Sequence, residues 1–299
     1  MLATVANPDT GAVDPTRVIE SARRAEETGY DGVYVGDHLL HPHSMLESVV
    51  TLAAVAASTR RVSLGPCVLL FALRHPLVLA KQLGTLAAFA PGRLRVGVGV
   101  GGEYPAEFDA AGVPLAHRGR RMESVLREVR SLLGGGPELA DVAIEPKAPD
   151  VSFLLAGWKE ASLRRAATYG DGWIGYLLAP ESFARRRAFL LQCRAELGRA
   201  DEGFGTGMLL PVHVHRQGHG QVSAAAAWAR LTGSTGGFPD RLFVTGDPDD
   251  VVGRLRRYWE AGCSEFILAP ADQGRGYLEQ VDILAREVLP RLREFPVAS

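Results

Sequence analysis

Two kinds of hydrophobic pattern alternate along this chain. Short apolar runs predict buried strands, whereas longer segments with apolar residues every three or four positions predict helices that pack one face against a sheet. Helix-start signals agree with this division, because Asp14-Pro15 and Asp247-Pro248 each combine a capping carboxylate with a proline. Gly29 is expected to end the first helix as a left-handed cap. Strands are predicted near residues 2–6, 31–36, 61–70, 93–100, 151–156, 172–175, 207–215 and 265–269.

Alternating strands and helices indicate a parallel α/β sheet with right-handed crossovers. About eight strand–helix units in 299 residues favour a closed (β/α)8 TIM barrel over an open doubly wound sheet. The glycine-rich break at 134–137 is interpreted as a loop because the alternation resumes at Val151, so residues 1–299 are predicted to form a single domain. Among the expected helices are segments near 45–57, 162–169, 181–197, 222–231 and 248–261.

Composition narrows the function classes. A formal net charge of −1 gives no electrostatic reason to bind nucleic acid or an anionic membrane, and no apolar run reaches the ~20 residues that span a bilayer. The three cysteines are far apart and lack metal-binding spacing, so neither a disulfide framework nor a metal site is expected. Without a signal-peptide pattern, a cytoplasmic location is expected. The arginines at 185–187 are interpreted as a solvated helix face.

Candidate chemistry lies where strands end, because a barrel of this kind builds its active site at the C-terminal ends of its strands. The second strand ends in Gly36-Asp37-His38. Because imidazoles in general titrate near neutral pH, His38 could move a proton or hold a ring substituent, although a hydrogen-bonded loop histidine is the alternative. Asp37 could orient His38 or cap the following turn.

The third strand contains Gly65-Pro66, which predicts a bulge because proline cannot donate to the ladder. Cys67 is expected to be a small buried residue rather than a nucleophile. Arg74 and His75 follow, and they could contact anionic ligand groups or cap the next helix.

The fourth strand carries glycines at 97, 99 and 101, which share one face of a strand. That face could leave room for a flat ring system, or it could serve tight barrel packing. A dinucleotide fingerprint is rejected, because Pro105 follows too soon and the motif belongs to the first strand–helix unit. Glu103 is a candidate acid or ligand-orienting group beside this surface.

The fifth strand leads into Ala156-Gly157-Trp158-Lys159 before a helix. A glycine turn at a helix N-terminus presents amide groups that bind phosphate, and Lys159 could add a charge. Trp173 could border a cofactor or pack the wall. The glycine-rich stretch at 233–238 is expected to form a flexible loop beside the site.

In order and spacing, these segments resemble the luciferase-like flavin-dependent oxidoreductase family, from about residue 14 to residue 270. The residues that carry the resemblance are Ala25 to Val33 leading into Gly36-Asp37-His38, Leu73-Arg74-His75-Pro76 with Ala80 to Leu83, Gly92-Arg93-Leu94, Gly97 to Gly101, Glu107-Phe108, Gly112-Val113-Pro114, Arg118 to Arg121, Gly170 to Trp173 and Gly246-Asp247-Pro248.

The resemblance implies a barrel that holds flavin mononucleotide (FMN) or the deazaflavin coenzyme F420. It places the ring in the barrel mouth, the phosphate at the 156–159 loop, and a non-proline cis peptide bond, here Cys67–Val68, beneath the ring. It maps His38 next to the hydride-carrying carbon and Glu103 onto the carboxylate after strand four. Gly102 departs from the family, where a bulky aromatic is common, so the pocket is more open or Tyr104 fills the space.

The resulting hypothesis is hydride transfer between coenzyme F420 and a small organic substrate, with His38 and Glu103 as catalytic residues. A monooxygenase that uses reduced FMN and oxygen is the first alternative, and a non-catalytic ligand-binding barrel is the second. The resemblance also implies a homodimer and a separate flavin or F420 reductase that supplies reduced cofactor. The cofactor-binding set comprises Asp37, Cys67, Val68, Gly99, Gly101, Ala156, Gly157, Trp158, Lys159 and Trp173.

Overall fold

The computed structural model describes residues 1–7, 10–135, 143–199, 203–215, 223–234 and 238–296. The strands in these ranges are β1 (Gly32–Val35), β2 (Ser63–Pro66), β3 (Leu69–Leu70), β4 (Arg95–Gly99), β5 (Ser152–Ala156), β6 (Gly172–Tyr176), β7 (Gly205–Val214), β8 (Val244–Gly246) and β9 (Glu265–Pro270).

Helices separate most of these strands. They are α1 (Pro15–Glu27), α2 (Ser48–Ser58), α3 (Pro76–Phe89), α4 (Pro105–Ala110), α5 (Arg118–Leu133), α6 (Glu160–Tyr169), α7 (Pro180–Glu196), α8 (Ala224–Thr232), α9 (Pro248–Glu260), α10 (Tyr277–Ile283) and α11 (Leu289–Leu292), with a π-helical turn at Leu284–Val288. None of the helices in the described ranges is both long enough and apolar enough to cross a bilayer.

All ladders between the strands are parallel, as the alternation predicts. β1 pairs with β2, and β3 to β8 follow one another in order, while β9 pairs with β7. A parallel bridge from Leu64 to Leu94 links the two sheets. The first residues lie between β9 and β1, because the Met1 amine donates to the Leu268 carbonyl and the Leu2 amide donates to the Tyr34 carbonyl. The described strands and helices therefore form a predominantly parallel α/β arrangement of the TIM-barrel-like kind that the alternation predicts.

The predicted helix signals act as expected. The Asp14 side chain accepts hydrogen bonds from two amides of the first turn of α1, and Gly29 takes a left-handed φ of 88° just beyond its end. Asp247 and Asp250 form a reciprocal capping box at the start of α9. Local chemistry therefore fixes where these two helices begin and where α1 ends.

Some elements differ from the predictions. Residues 2–6 form an isolated antiparallel bridge, Val5 to Met45, instead of a strand ladder, and the second helix begins at Ser48 because Glu47 caps it. Helix α4 and strand β8 were not predicted, since both are too short to show a period. Residue 222 of the predicted 222–231 helix and residues 235–237 of the predicted glycine-rich loop lie outside the described ranges.

Candidate active site

His38, just after β1, lies between two carboxylates. Its Nδ1 is 3.2 Å from Glu107 Oε1, and its Nε2 is 3.7 Å from Glu103 Oε2. The His38 side chain is 17% exposed, whereas that of Glu107 is 0% and that of Glu103 is 60% exposed. The imidazole therefore has one buried acidic neighbour and one that faces solvent.

Glu107 is the functional candidate that the sequence interpretation missed. It lies on α4, next to the buried Phe108, and its second oxygen accepts the amide hydrogen of Leu39 at 3.1 Å. The Glu107-Phe108 pair, one of the motifs that carry the family resemblance, was the signal available in the sequence. Only the fold, however, brings Glu107 to a residue 69 positions earlier in the chain.

Two aromatic rings border His38. The Tyr104 ring meets it edge-on at a centroid distance of 4.6 Å, and the His41 ring lies at 5.6 Å. Tyr104 therefore fills space beside His38, as one of the two alternatives considered for the departure at Gly102 predicts. Burial, with Glu103 and Glu107 nearby, raises the pKa of Tyr104 to about 12, so its hydroxyl stays protonated near neutral pH.

Helix α8 covers one side of the barrel mouth. The Tyr104 hydroxyl donates to the Thr232 carbonyl, and His43 Nε2 is 2.7 Å from the Arg230 carbonyl. On the inner face of the helix, Trp228 Nε1 donates to the Tyr176 hydroxyl at 2.9 Å. The loops after β1 and β4 are thus hydrogen-bonded to the C-terminal turn of α8, and β6 is hydrogen-bonded to the buried face of the same helix.

Asp37 is buried and engaged by the protein itself. Its two oxygens accept from both terminal nitrogens of Arg74 (2.7 and 2.8 Å), from the Leu70 amide (2.9 Å) and from the Ser48 hydroxyl (2.8 Å). Asp37 belongs to the predicted cofactor-binding set, but four protein groups already donate hydrogen bonds to its carboxylate. It could therefore affect a bound cofactor only through the residues that it holds in place. The same geometry gives Arg74 a structural partner rather than a free anion-binding role.

The bulge predicted at Gly65-Pro66 is absent, because both residues pair in regular register with β1; the strand instead breaks between β2 and β3, where the Cys67–Val68 peptide bond is cis. Burial raises the pKa of the Cys67 thiol to about 12, so the thiol is uncharged, as expected for a packing residue. Val68 is half-buried at the same break.

The glycine face of β4 serves close packing. A Cβ added to Gly99 would lie 2.3 Å from Val68 Cγ2, and one added to Gly97 would lie 2.6 Å from the Pro66 carbonyl oxygen. Gly101 has a φ of 61°, and a Cβ there would press on Leu70 and on the ring of α4's phenylalanine. These glycines bring β4 close to the break at Val68, which is the close-packing alternative considered for this face.

The 156–159 loop runs directly into α6. Gly157 has a φ of 134°, and a Cβ there would lie 2.6 Å from Ser162 Cβ, so glycine is needed for the close turn. Arg186 on α7 donates to the Trp158 carbonyl at 2.9 Å, which places a guanidinium beside the loop. Of the arginines predicted to form a solvated face, Arg185 is exposed, whereas Arg186 binds this loop.

Trp173 lies behind the loop, in the wall. Its side chain is 1% exposed and stacks on Phe183, with ring centroids 4.8 Å apart. Its Nε1 donates to the Gly157 carbonyl at 2.8 Å. Trp173 therefore packs in the wall, which is one of the two alternatives considered for it. Trp173 would affect a ligand only by way of the 156–159 loop, to which its indole donates.

Together these residues form a mouth at the C-terminal ends of the strands. A histidine with a buried and an exposed carboxylate can exchange a proton with a bound molecule and with solvent. A glycine turn at the start of a helix, with an arginine beside it, can hold a phosphate. Helix α8, which is hydrogen-bonded to the loops after β1 and β4, forms another wall of this mouth.

The family model described as luciferase-like monooxygenase matches residues 1–232. An F420-dependent glucose-6-phosphate dehydrogenase of Gordonia bronchialis is 25% identical, covering 95% of each chain. A solved F420-dependent secondary alcohol dehydrogenase, in complex with an F420–acetone adduct, has a TM-score of 0.79 at 21% identity, covering 94% of this chain and 96% of that one. The FMN-bound oxygenating constituent of 3,6-diketocamphane monooxygenase from Pseudomonas putida has a TM-score of 0.71 at 17% identity, covering 91% and 92%. This chain belongs to the luciferase-like monooxygenase family and is an oxidoreductase of that family.

Proposed function

We propose that this protein transfers hydride between coenzyme F420 and a small organic substrate, with His38 as the residue that moves the proton. The observation that carries the proposal is the position of His38 between Glu107 and Glu103 at the C-terminal ends of the strands. The F420-dependent dehydrogenase that is similar along nearly the whole chain supports this choice of cofactor.

The residues of the mouth fit a flat ring with a phosphate-bearing tail. Val68 offers a half-buried apolar surface, held in place because Gly99 leaves it room. The loop of Ala156, Gly157, Trp158 and Lys159 would hold the phosphate with backbone amides at the start of α6, and Arg186 adds positive charge beside it. Cys67 and Gly101 support this surface by packing, and Trp173 and Asp37 fix the backbone behind it.

When bound, the coenzyme supplies or accepts the hydride. His38 Nε2 gives a proton to the substrate oxygen during reduction, or takes one during oxidation. Glu103, which is exposed, exchanges that proton with solvent and orients the substrate hydroxyl. Helix α8, fastened by Tyr104 and His43, keeps water from one side of the mouth.

The second candidate function is a monooxygenase that uses reduced FMN and oxygen, which the FMN-bound structural neighbour favours. Both cofactors place a flat ring and a phosphate in the same mouth. Oxygen consumption separates the two, because the deazaflavin ring does not readily activate oxygen. A homodimer and a separate reductase that supplies reduced cofactor belong to the proposal under either cofactor.

The test is an anaerobic assay with oxidised and reduced F420 and a panel of alcohols, ketones and sugar phosphates. We expect turnover with F420 in the absence of oxygen. Replacing His38 by Ala should lower kcat by ~10²-fold or more while circular dichroism and the melting temperature stay close to those of the wild type. Wild-type turnover in that variant would remove His38 from the mechanism, and turnover that requires FMN and oxygen would select the second candidate.

A further inference from the structure

Glu107 has a feature that proton transfer at Nε2 does not explain. Its carboxylate is fully buried, and burial of a charge is costly unless hydrogen bonds compensate for it. The Leu39 amide satisfies Oε2 at 3.1 Å, and His38 Nδ1 lies 3.2 Å from Oε1. An ionised carboxylate can only accept, so the pair makes a hydrogen bond only when Nδ1 carries the hydrogen.

We propose that Glu107 is a positioning residue that fixes the tautomer and the orientation of His38, so that Nε2 is the atom presented to the mouth. This inference rests on the proposed function for its catalytic meaning, but the tautomer itself is a property of the chain alone. A neutral imidazole has one N–H, and the hydrogen bond made by one nitrogen decides the state of the other.

The difference in burial decides which of the two acids controls the ring. Glu107 is 0% exposed and within hydrogen-bonding distance, whereas Glu103 is 60% exposed and 3.7 Å away. A hydrogen bond is electrostatically stronger in a buried, low-dielectric setting, while an exposed charge is screened by water. Glu107 therefore determines which nitrogen is protonated, and Glu103 is left to interact with substrate or solvent.

The geometry also predicts what a neutral side chain would do. In Glu107→Gln, the Leu39 amide still needs an acceptor, so the amide oxygen takes that place and the NH2 group faces His38. That NH2 group donates to Nδ1, which must then be unprotonated, and the hydrogen moves to Nε2. Replacing a carboxylate behind a catalytic histidine by an amide is known to select the wrong tautomer in other enzymes.

The experiment is 15N nuclear magnetic resonance of the full-length protein with labelled histidine, which needs no cofactor. The His38 signal is assigned from its loss in His38→Gln. In the wild type at a pH where the ring is neutral, we expect Nδ1 to be of the protonated type and Nε2 of the unprotonated type. In Glu107→Gln the two should exchange, whereas Glu103→Gln, the exposed control, should leave them unchanged.

An unprotonated Nδ1 in the wild type overturns the inference without any variant, so a variant that fails to fold does not remove the test. The same tautomer in Glu107→Gln as in the wild type also overturns it. With F420 and a turned-over substrate, Glu107→Gln should lower kcat by ~10²-fold with little change in KM. If the tautomer result holds and no F420 turnover is found, the proposed function fails and the positioning role stands.

Discussion

The buried ion pair of Asp37 and Arg74 gives a sharp stability prediction. Arg74 is 10% exposed and Asp37 is 0% exposed at the side chain, and they form two hydrogen bonds of 2.7 and 2.8 Å. In Asp37→Leu, the guanidinium stays buried with Glu47 at 3.2 Å as a remaining acidic neighbour. Removing one partner of a buried pair costs about 3–5 kcal/mol, so we expect a loss in this range.

That loss corresponds to a fall in melting temperature of about 6–10 °C, at roughly 2 °C per kcal/mol for a chain of this size. The double variant Asp37→Leu/Arg74→Met removes both charges. It should be destabilised by at least about 2 kcal/mol less than the sum of the single variants, because apolar replacement of a buried pair is tolerated far better than an unpaired charge.

The assay is equilibrium unfolding in urea followed by tryptophan fluorescence, together with thermal melting. Glu181→Gln is the matched control, since it breaks an exposed pair with Arg257 in which both side chains are more than half exposed, and its stability should be unchanged. A loss below about 1 kcal/mol in Asp37→Leu, or strictly additive effects in the double variant, would refute the argument that burial of this pair sets its energy.

Two further predictions concern packing and pH. Gly99→Leu should displace Val68 and abolish cofactor binding, which a titration measures. The control is Gly253→Ala, whose added Cβ meets no atom within 4 Å and which should bind the cofactor normally. Equal cofactor affinities in the two variants would place the ring elsewhere. Burial raises the pKa of Glu26, and the amides of residues 60–62 more than offset this, leaving it below its usual 4.5. Glu26→Gln should therefore be less stable than the wild type at pH 7, and the difference should fade as pH falls below about 4.5; a difference that persists in acid would contradict this.

The strands were largely predictable because their signal is local. The apolar runs that become β4, β5 and β9 are bounded by turns or caps that the sequence displays, and Asp14 and Asp247 mark helix starts. The segment at residues 2–6 was predicted as a strand, yet it forms single hydrogen bonds and an isolated bridge, because a short run carries no information about its partners.

The candidate site was predictable only in part. His38, Glu103 and Gly157 are found by their position after strands, which the barrel rule supplies. Glu107 and Arg186 owe their importance to contacts made across long stretches of chain, with His38 and with the Trp158 carbonyl, and such contacts have no local pattern.

The sequence also did not show which way each side chain points or how deeply it is buried. Trp173 was compatible with the mouth and with the wall, and the stacking partner on α7 places it in the wall. Asp37 precedes His38 in the chain, yet its carboxylate is held by Arg74, so the two neighbours serve different networks.

The most direct test of the central claim is a binding titration of the purified protein with F420 and with FMN, each oxidised and reduced, followed by anaerobic turnover with the ligand that binds. We predict tight binding of F420 and oxygen-independent hydride transfer that depends on His38. Tight binding of reduced FMN alone, with oxygen consumed in turnover, would contradict the account and make the protein a monooxygenase.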